Sequence, residues 1–467
     1  MNDDQRSQIL DTARYLQNVR PIDPEELRDY VEGHPHPAAI RQVLREHAFE
    51  LGMAEREEGF VPVADGPIAI SGPVGRIPED LDSRLEALLV ERFGRHWATG
   101  ESATTLRERI TRLKADYFAR EPVEYDAVTA LAYAIYHLYD NYAVMQHAIG
   151  SLIDAGLIPH HCRILDVGAG VGGPAMGALE LLSDGLIEYH AVEPSPAISV
   201  FERLWEGRTN QSVRFHQETA ESFEPTGEYD LLVFANVLSE LDDPAATLAR
   251  YTEYVAGDGS CLLLAPADQN TAIELRTLER GLADDGELTV YDPTLRLWPN
   301  ETPGSDAESW SFTIKDDIAT PSVQRRLADS TPAESDQEPT AFVNTDVQYA
   351  YSVLRPDGRR RTELAPNSDR FTPMADSGSV VSDRVDLVGV KLSHDLGSDN
   401  PLFLVGDGSQ QTDHFAVVVR ETGLNETLIT APYASVLAFE NVLVLWNADE
   451  SAYNCVVDDE AVVDRIA

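Results

Sequence analysis

Apolar positions recur along the chain with different periods, and the changes of period predict its organisation. From residue 162 to about 265, continuous apolar runs alternate with segments in which apolar residues recur every three or four positions. The first pattern is typical of strands buried on both faces, and the second is typical of helices that cover them. A repeated strand–helix unit of this kind predicts a doubly wound α/β domain with a parallel sheet, to which we assign residues 161–362.

The segment before this domain has mostly helical periodicity. Asp23 followed by Pro24 predicts a helix start, and a second helix is predicted from Pro37 to Gly52. Apolar residues then flank a polar turn, as in a two-stranded hairpin. Residues 1–75 are therefore interpreted either as a winged-helix-like domain or as a helical cap on the next domain.

Residues 80–160 are predicted to be helical throughout and to cap a ligand site on the α/β domain. Four tyrosines recur there at intervals of three, namely Tyr133, Tyr136, Tyr139 and Tyr142. An aromatic stripe at that spacing is usually part of a core. Stacking on a ligand is the alternative.

Two polar stretches interrupt the second half of the chain. Residues 316–342 are rich in Pro, Ser and Glu, and we predict that they form a flexible surface insertion in the α/β domain. A second polar stretch precedes residues 383–467, which contain five β segments with a possible short helix after the third. That order fits a small β-barrel of the OB type.

Composition and charge change the interpretation of possible partners. The chain has 467 residues, 43% hydrophobic and 25% charged, which are the proportions of a globular protein of several domains. Its 80 acidic residues outnumber 36 basic ones, giving a net charge of −44, and only three of the basic residues are lysines. We interpret this as adaptation to a salt-rich, halophilic cytoplasm. Because molar salt shortens the Debye length to about 3 Å, the acidity does not exclude an RNA partner.

The cysteines and the hydropathy exclude other classes of protein. Cys162, Cys261 and Cys455 lie far apart without C-x-x-C spacing, so neither a disulfide framework nor a metal site is predicted. No apolar run approaches the 18 or so residues of a membrane span, and we expect a cytoplasmic protein without a membrane partner.

The chemistry is carried by the motif ILDVGAGVGGPA at residues 164–175, at the end of a predicted strand and the start of a helix. Glycines at this turn let backbone N–H groups and the helix N-terminus approach a nucleotide-like cofactor. Gly168, Gly170 and Gly173 also satisfy G-x-G-x-x-G, so a nicotinamide dinucleotide competes with S-adenosylmethionine.

Acidic residues near the glycines favour S-adenosylmethionine. Asp166 can meet the methionine ammonium but would repel a pyrophosphate. Glu193 ends the second strand and can accept the ribose hydroxyls, although dinucleotide enzymes share this feature. The full set predicts a class I methyltransferase with a Rossmann-like core, its cofactor-binding residues being Asp166, Gly168, Ala169, Gly170, Gly172, Glu193, Gln217, Glu218 and Asn236. The alternative is an α/β domain that retains the turn without binding a ligand.

The reaction itself is less defined by the sequence. ANVLSEL follows the fourth strand in place of an Asn/Asp-Pro-Pro-aromatic motif, which disfavours that route to base methylation. Cys261 begins the fifth strand, at the wrong edge of the sheet for a cysteine nucleophile. No catalytic base is identified, and Ser239 and Glu240 are candidates by position only.

Several segments together resemble the methyltransferase-like proteins of the small ribosomal subunit. The similarity covers roughly residues 80–365 and rests on AVTALAYAIYHLYDNYAVMQ, ILDVGAGVGG, AVEPSPAI, FANVLSEL and LLLAPADQNTAIELRTL. The family also has an arginine at the position of Arg276. The resemblance implies binding of S-adenosylmethionine and a role on the small ribosomal subunit or its rRNA.

The sequence departs from this family where many members have cysteines that bind an iron–sulfur cluster. Here Trp298-Pro299-Asn300 and Trp310-Ser311-Phe312 stand at the matching places, and no cysteine lies between Cys261 and Cys455. Because thiolates are needed to hold such a cluster, we predict that none is bound.

An RNA-binding role requires positive charge, and the densest cluster is LRPDGRRR, with Arg355, Arg359, Arg360 and Arg361. These arginines are predicted to bind phosphates, or alternatively to form a solvated turn that offsets nearby acids. Two functions follow: a methyltransferase acting on small-subunit rRNA, or a catalytically inactive assembly factor on the same fold. A small-molecule methyltransferase is a third interpretation, which leaves the terminal domains without a purpose.

Overall fold

A computed structural model describes residues 1–17, 19–121, 123–284, 288–298, 301, 303–304, 312–335 and 337–467. The chain divides into two compact units. The first unit contains residues 1–241, 250–259 and 316–347, and the second contains residues 242–249, 260–315 and 348–467.

The first unit begins with a helical region that ends in a hairpin. Its elements are α1 (Asp3–Leu16), α2 (Pro24–Leu27), α3 (Pro37–Glu46), α4 (Ala48–Leu51), β1 (Met53–Arg56) and β2 (Gly59–Pro62). Asp23 caps α2 by accepting a hydrogen bond from the Glu25 N–H at 2.9 Å. β1 and β2 pair antiparallel, and Ile22 forms a bridge to Phe60 on β2. The predicted helical character of this region is confirmed, and the hairpin follows the helices as expected. The winged-helix-like interpretation itself stays a prediction.

Three longer helices come next, α5 (Glu79–Phe93), α6 (Gly100–Ala119) and α7 (Ala127–Asp154). Asp126 caps α7, because its Oδ1 atom accepts from the N–H groups of Val128 and Thr129 at 2.9 and 2.7 Å. Most residues of α7 are buried. Residues 80–160 are therefore mostly helical, with α7 as the central element, and their role as a cap on a ligand site stays a prediction.

The sheet of the first unit is parallel. The elements are β3 (His161–Val167), α8 (Gly173–Leu181), β4 (Leu186–Val192), α9 (Ala197–Leu204), β5 (Gln211–His216), β6 (Tyr229–Ala235), α10 (Pro244–Thr252) and β7 (Val255–Pro266). Within this unit the strand order is β5-β4-β3-β6, and the pairs are parallel. β4 and then β5 lie on one side of β3, and the chain afterwards returns to place β6 on the other side, so the order of the strands reverses between β3 and β6. Ligands of open α/β sheets bind at such a switch point, beyond the carboxyl ends of the strands.

β7 continues into the second unit, where an antiparallel arrangement replaces the parallel one. The elements that follow β7 along the chain are α11 (Gln269–Asp284), β8 (Thr289–Asp292), β9 (Thr313–Lys315), α12 (Ser322–Asp329) and β10 (Val347–Arg355), of which α12 belongs to the first unit. β10 pairs antiparallel with β7 and with β8. Parallel and antiparallel strands together give the mixed sheet of the α/β domain.

The segment 316–342 contains a packed helix, which corrects the prediction of a flexible surface insertion. α12 lies in the first unit and buries Val323 and Leu327. The Gln324 side chain is also buried and donates a hydrogen bond from Nε2 to the Ile135 carbonyl of α7 at 2.9 Å. The two apolar residues are four positions apart, which is enough for one buried helical face although the segment is polar on average.

The second unit ends in a closed barrel. Its elements are β11 (Arg384–Lys391), β12 (Leu402–Gly406), β13 (His414–Val418), α13 (Glu426–Thr430), β14 (Val436–Asn447), β15 (Ala452–Val457) and β16 (Val462–Arg465). The order is β11-β12-β13-β15-β14, with β14 also pairing with β11. β13 and β15 are parallel, and β16 adds to β14. A five-stranded barrel with a helix after its third strand confirms the OB-like prediction.

A tryptophan packs on this barrel at one of the places where the resembling family has cysteines. The Trp298 side chain lies in an apolar cluster with Val388 and Leu404, and its Nε1 donates to Asp407 Oδ2 at 2.8 Å. Residues 299–300 and 310–311 of the two matching segments lie outside the described residues. Trp298 therefore has a structural role in the second unit.

Candidate functional site

The glycine loop between β3 and α8 has one open position. Gly168, Gly170 and Gly172 have φ values of 79°, 53° and 83°, which favour glycine. A Cβ on Gly168 would lie 2.4 Å from the Val237 side chain, and one on Gly172 would lie 2.1 Å from the Phe201 ring. At Gly170 the nearest atom is the Gly168 carbonyl oxygen at 4.0 Å. Gly170 is thus the loop position from which a ligand can approach.

Gly173, the third glycine of G-x-G-x-x-G, is explained by helix packing. A Cβ at this position would lie 2.7 Å from the Leu138 carbonyl oxygen and 3.3 Å from the Asn141 Cβ. Both of those residues belong to α7, which passes directly over the start of α8. Gly173 therefore carries no information about which cofactor binds.

Asp166, on β3, has a buried carboxylate with one oxygen unpaired. Oδ2 accepts a hydrogen bond from the Tyr189 hydroxyl at 2.7 Å. Oδ1 is buried and has no hydrogen-bond partner among the described residues. Burial, with a further contribution from Glu193, raises the pKa of Asp166 to about 7, although the Tyr189 bond opposes this. Such an oxygen is satisfied by a cation or an N–H donor.

Glu193, after β4, holds the loop in place. Its Oε2 accepts from the Gly170 N–H at 3.1 Å, and its Oε1 accepts from the Ser195 N–H at 2.9 Å. Each carboxylate oxygen has two lone pairs, so both can still accept a hydroxyl. The geometry is compatible with the predicted contact to ribose. Ala169 has a supporting role, because its N–H donates to the Val192 carbonyl at 3.1 Å.

Gln217 and Glu218, after β5, are both exposed. The Gln217 Nε2 lies 3.5 Å from the Pro194 carbonyl oxygen, at the limit of a hydrogen bond. The backbone brings these side chains to the same edge of the sheet as the glycine loop, since all four strands are parallel. Their contact to adenine stays a prediction.

Asn236, after β6, connects this edge to α7. Its φ of 57° is left-handed, and its Nδ2 donates to Asn141 Oδ1 at 2.9 Å. Asn141 Nδ2 in turn donates to the Tyr133 hydroxyl at 3.3 Å. The carboxyl end of β6 and one face of α7 therefore form a continuous wall.

Glu240 and Tyr125 extend this wall. The Tyr125 hydroxyl hydrogen-bonds the Glu240 carboxylate, and its ring contacts that of Tyr133 edge-on at 5.8 Å. Desolvation by the surrounding protein, followed by the charge of Glu193, raises the pKa of Glu240 to about 7. Glu240 nevertheless keeps exposed surface. Exposed surface combined with dense surroundings is typical of a side chain that lines a cleft. Ser239, in the same 3₁₀ turn, is exposed as well.

The four tyrosines of α7 divide between core and cleft. Each interval of three residues turns the side chain back by about 60°, so the first and the last point in opposite directions. Tyr139 and Tyr142 are buried, and Tyr139 donates to Asp82 Oδ1 at 2.8 Å. Tyr133 and Tyr136 are half-buried. The core interpretation therefore holds for Tyr139 and Tyr142, whereas Tyr133 contributes to the cleft wall.

α7 also carries a histidine–aspartate pair that was not predicted from the sequence. His137 Nδ1 lies 3.0 Å from Asp140 Oδ2, and Asn344 Nδ2 donates to the same oxygen at 2.8 Å. The i, i+3 spacing of His137 and Asp140 was available as a signal of side-chain contact. Asn344 comes from a segment some 200 residues further along the chain, so only the tertiary structure reveals it.

The arginines do not form one exposed cluster, which corrects the RNA-binding prediction for one of them. Arg355 is 1% exposed and bonds Asp357 and the Ser260 hydroxyl, the latter at 2.7 Å. Arg361 Nη1 donates to Asp292 at 2.8 Å but is exposed, as Arg359 and Arg360 are, so phosphate binding by these three stays a prediction.

Arg276, the arginine shared with the resembling family, is buried in the second unit. It pairs with Glu279 and bonds the Tyr351 carbonyl. The contacts described for Arg276 therefore indicate a structural role.

The side chains that the structure describes do not form a metal site. Cys162, Cys261 and Cys455 are free and buried. No group of three or more His, Cys, Asp or Glu residues suited to a metal ion occurs in the described ranges. Across the same ranges, no helix is both long and apolar enough to cross a membrane.

Comparison with protein families identifies three segments. Residues 165–261 match a methyltransferase domain. Residues 6–57 and 375–466 match the N-terminal and C-terminal domains of a domain of unknown function, DUF8157. No ribosomal family is among these matches. None of the curated proteins matches the chain.

Similar solved structures include three methyltransferases. A sugar N-methyltransferase, KedS8 from Streptoalloteichus sp., is 20% identical over 22% of this chain and 40% of its own length, with a TM-score of 0.18. The plantazolicin methyltransferase BpumL, in complex with a triazolic analog and SAH, is 12% identical over 59% of this chain and 97% of its own, with a TM-score of 0.30. The N-methyltransferase NodS from Bradyrhizobium japonicum is 12% identical over 42% of this chain and 85% of its own, with a TM-score of 0.24.

The TM-scores are too low to support a conclusion about the substrate. The chain spans less than half the length of KedS8. The family match and the observed strands confirm the predicted fold class, a class I methyltransferase core between a helical N-terminal region and a C-terminal β-barrel. A methyltransferase domain implies S-adenosylmethionine as cofactor.

Proposed function

We propose that the chain is an S-adenosylmethionine-dependent methyltransferase whose cofactor binds over the loop of residues 168–172. The observation that carries this proposal is the open face of Gly170 between two carboxylates, Asp166 on β3 and Glu193 after β4. The unpaired Asp166 Oδ1 fits an N–H donor such as the ammonium of the methionine part. Glu193 retains lone pairs for the ribose.

The charge of the site favours this cofactor over a nicotinamide dinucleotide. Asp166, Glu193 and Glu240 are close enough for Glu193 to raise the pKa of the other two. A pyrophosphate would add negative charge to this group, whereas S-adenosylmethionine has a sulfonium and an ammonium. The positive sulfonium and ammonium groups stabilise the ionised carboxylates, whereas a pyrophosphate would repel them.

Calorimetric titration in molar KCl tests the cofactor. We expect the wild type to bind S-adenosylmethionine and Gly170→Arg to lose binding, because the new side chain fills the open face. Gly52→Arg is the matched control, since Gly52 has a similar φ of 63° and open space around its missing Cβ. A folded wild type that binds nothing, or a Gly170→Arg variant that binds as well as Gly52→Arg, contradicts the proposal. NADH should not bind.

As substrate we propose the small-subunit rRNA or the assembled small subunit. The support is the resemblance over residues 80–365, together with a winged-helix-like region and an OB-like barrel, two folds that bind nucleic acids in other proteins. Transfer of tritiated methyl groups to purified small ribosomal subunits from a strain lacking the protein is the test. Transfer to a small-molecule extract, with none to the ribosomal particles, would contradict this substrate.

A second function, a cofactor-binding assembly factor without turnover, is favoured by the position of Asn236. Its amide is engaged by Asn141 instead of projecting freely toward an acceptor. This function predicts binding of S-adenosylmethionine and of small subunits without methyl transfer to either. Detected transfer to rRNA would exclude it.

A further inference from the structure

We propose that His137 is the general base of the methyl transfer and that Asp140 and Asn344 orient it. This inference rests on the proposed function and names a residue for the step that the sequence left unassigned. All three residues belong to the first unit, His137 and Asp140 on α7 and Asn344 just before β10.

The nearer of two contacts at Nδ1 assigns the tautomer. Asp140 Oδ2, which only accepts hydrogen bonds, lies 3.0 Å from His137 Nδ1, closer than the Asn344 Nδ2 donor at 3.3 Å, so we assign the proton to Nδ1 and the lone pair to Nε2. Asn344 Nδ2 donates to the same carboxylate oxygen at 2.8 Å and fixes its position. No residue in the described part of the chain bonds Nε2, and 33% of the His137 side chain is exposed.

The carboxylate of Asp140 is only half satisfied. Oδ1 is buried without a hydrogen-bond partner among the described residues. A purely structural contact gains nothing from an unpaired buried oxygen, which costs free energy. An imidazolium formed at His137 during methyl transfer would lie beside this carboxylate, which would stabilise it.

His137 lies on the face of α7 that forms the cleft wall. Tyr133 and Asn141 are four residues away on either side and therefore on the same face, about 6 Å along the axis. The rings of Tyr133 and His137 are 5.0 Å apart, and Asn141 bonds Asn236 at the carboxyl end of β6. A methyl acceptor that enters beside this end of the sheet meets the Nε2 side of the ring.

Methyl transfer needs no reactant besides the acceptor and S-adenosylmethionine. A lone pair of an acceptor hydroxyl or amine attacks the methyl carbon, and the carbon–sulfur bond breaks with its electron pair going to sulfur. The acceptor proton passes to His137 Nε2 and then to solvent. A general base of this type contributes about 10²- to 10⁴-fold to the rate. Glu240 is less suited, because its carboxylate is already engaged by Tyr125.

Carbethoxylation of histidines, followed by mass spectrometry, tests whether Nε2 faces the cofactor cleft. We expect His137 to react in the free protein and its rate to fall at least tenfold when S-adenosylmethionine is saturating. His161 is the control within the same domain, since it is exposed at the opposite, amino end of β3. Gly170→Arg should abolish the protection. An unreactive His137 in the free protein, or protection of His161 as well, contradicts the inference.

Two further measurements separate a base from a structural residue. Nitrogen-15 spectra should place the proton on Nδ1 in the wild type, and Asp140→Asn should abolish this preference. His137→Gln should lower methyl transfer to small ribosomal subunits at least 100-fold while changing the Kd for S-adenosylmethionine less than twofold. A structural role predicts instead that transfer and cofactor affinity fall together.

The outcomes distinguish this inference from the proposed function. A folded protein that does not bind S-adenosylmethionine overturns both. Cofactor binding without protection of His137, or full transfer by His137→Gln, overturns the inference alone.

Discussion

Binding of S-adenosylmethionine should release a proton from Asp166. In the free chain, burial raises the pKa of this carboxyl to about 7, so it is largely protonated in mildly acidic solution. Oδ2 is bonded by Tyr189, and Oδ1 is unpaired among the described residues. An ammonium brought to this carboxyl favours its ionised form and lowers its pKa toward the ordinary value.

The size of the effect follows from these two pKa values. At pH 6, a carboxyl with a pKa of about 7 is ~0.9 protonated, and one restored to about 4 is ~0.01 protonated, so binding releases ~0.9 protons. At pH 8 the release falls to ~0.1. Because the cofactor binds the deprotonated protein more tightly than the protonated one, its affinity weakens as the pH falls. Between pH 8 and pH 6 we expect the Kd to rise by about tenfold.

The assay is calorimetry at pH 6 in two buffers of different ionisation enthalpy, with the salt concentration held constant. The slope of the observed heat against buffer enthalpy gives the number of protons released. Asp166→Asn removes the contribution of Asp166 to the number of protons released. Glu240→Gln is the necessary second variant, because the pKa of Glu240 is also raised to about 7 and a cationic cofactor can deprotonate it too.

Three results would refute this reasoning. Proton uptake at pH 6 would show that the cofactor does not bring positive charge to the carboxylates. A slope of zero with normal binding would show that Asp166 is already ionised. A slope unchanged by Asp166→Asn would assign the release to another group.

Other expected outcomes concern stability and are measured by chemical denaturation. Gly172→Ala should lower the free energy of unfolding by about 2 kcal/mol, because its Cβ would overlap a phenyl ring; an unchanged midpoint would show that the loop adjusts. Arg355→Ala should cost about 3 kcal/mol, because it removes a buried side chain that bonds Asp357 and Ser260, whereas Arg359→Ala, at an exposed position, should stay within about 0.5 kcal/mol; equal effects would contradict the burial of Arg355. Trp298→Phe keeps the apolar contact but loses a buried hydrogen bond, which predicts a loss of about 1–2 kcal/mol, and a more stable variant would contradict it.

Much of the fold could be predicted because it depends on local patterns. Apolar runs separated by helical periodicity identified the strands and helices from residue 161 to 266, and the capping sequence at Asp23 located α2. The order of strands and one helix from Arg384 onward was sufficient for the barrel. The segment 316–342 was misjudged, because its average polarity concealed two apolar residues on one helical face.

The candidate site was predictable only in part. Asp166 lies near the carboxyl end of β3, Gly170 lies in the turn after it, and Glu193 directly follows β4. The carboxyl ends of parallel strands meet at one edge of the sheet whatever the loops contain. Their contacts to a cofactor stay predictions. The fate of the arginines could not be predicted, since a dense cluster in sequence does not reveal that Arg355 points inward to its carboxylate partner.

The sequence by itself determined most of the secondary structure, though not α12, and the position of the glycine turn, because both depend on residues close together in the chain. Only the tertiary structure decided which glycine is open, which tyrosine reaches the cleft and that Asn344 meets Asp140. These facts depend on the packing of α7 over α8 and on contacts between residues some 200 positions apart. The periodicity of a helix gives the faces it can bury, but the neighbour on each face is set by the fold.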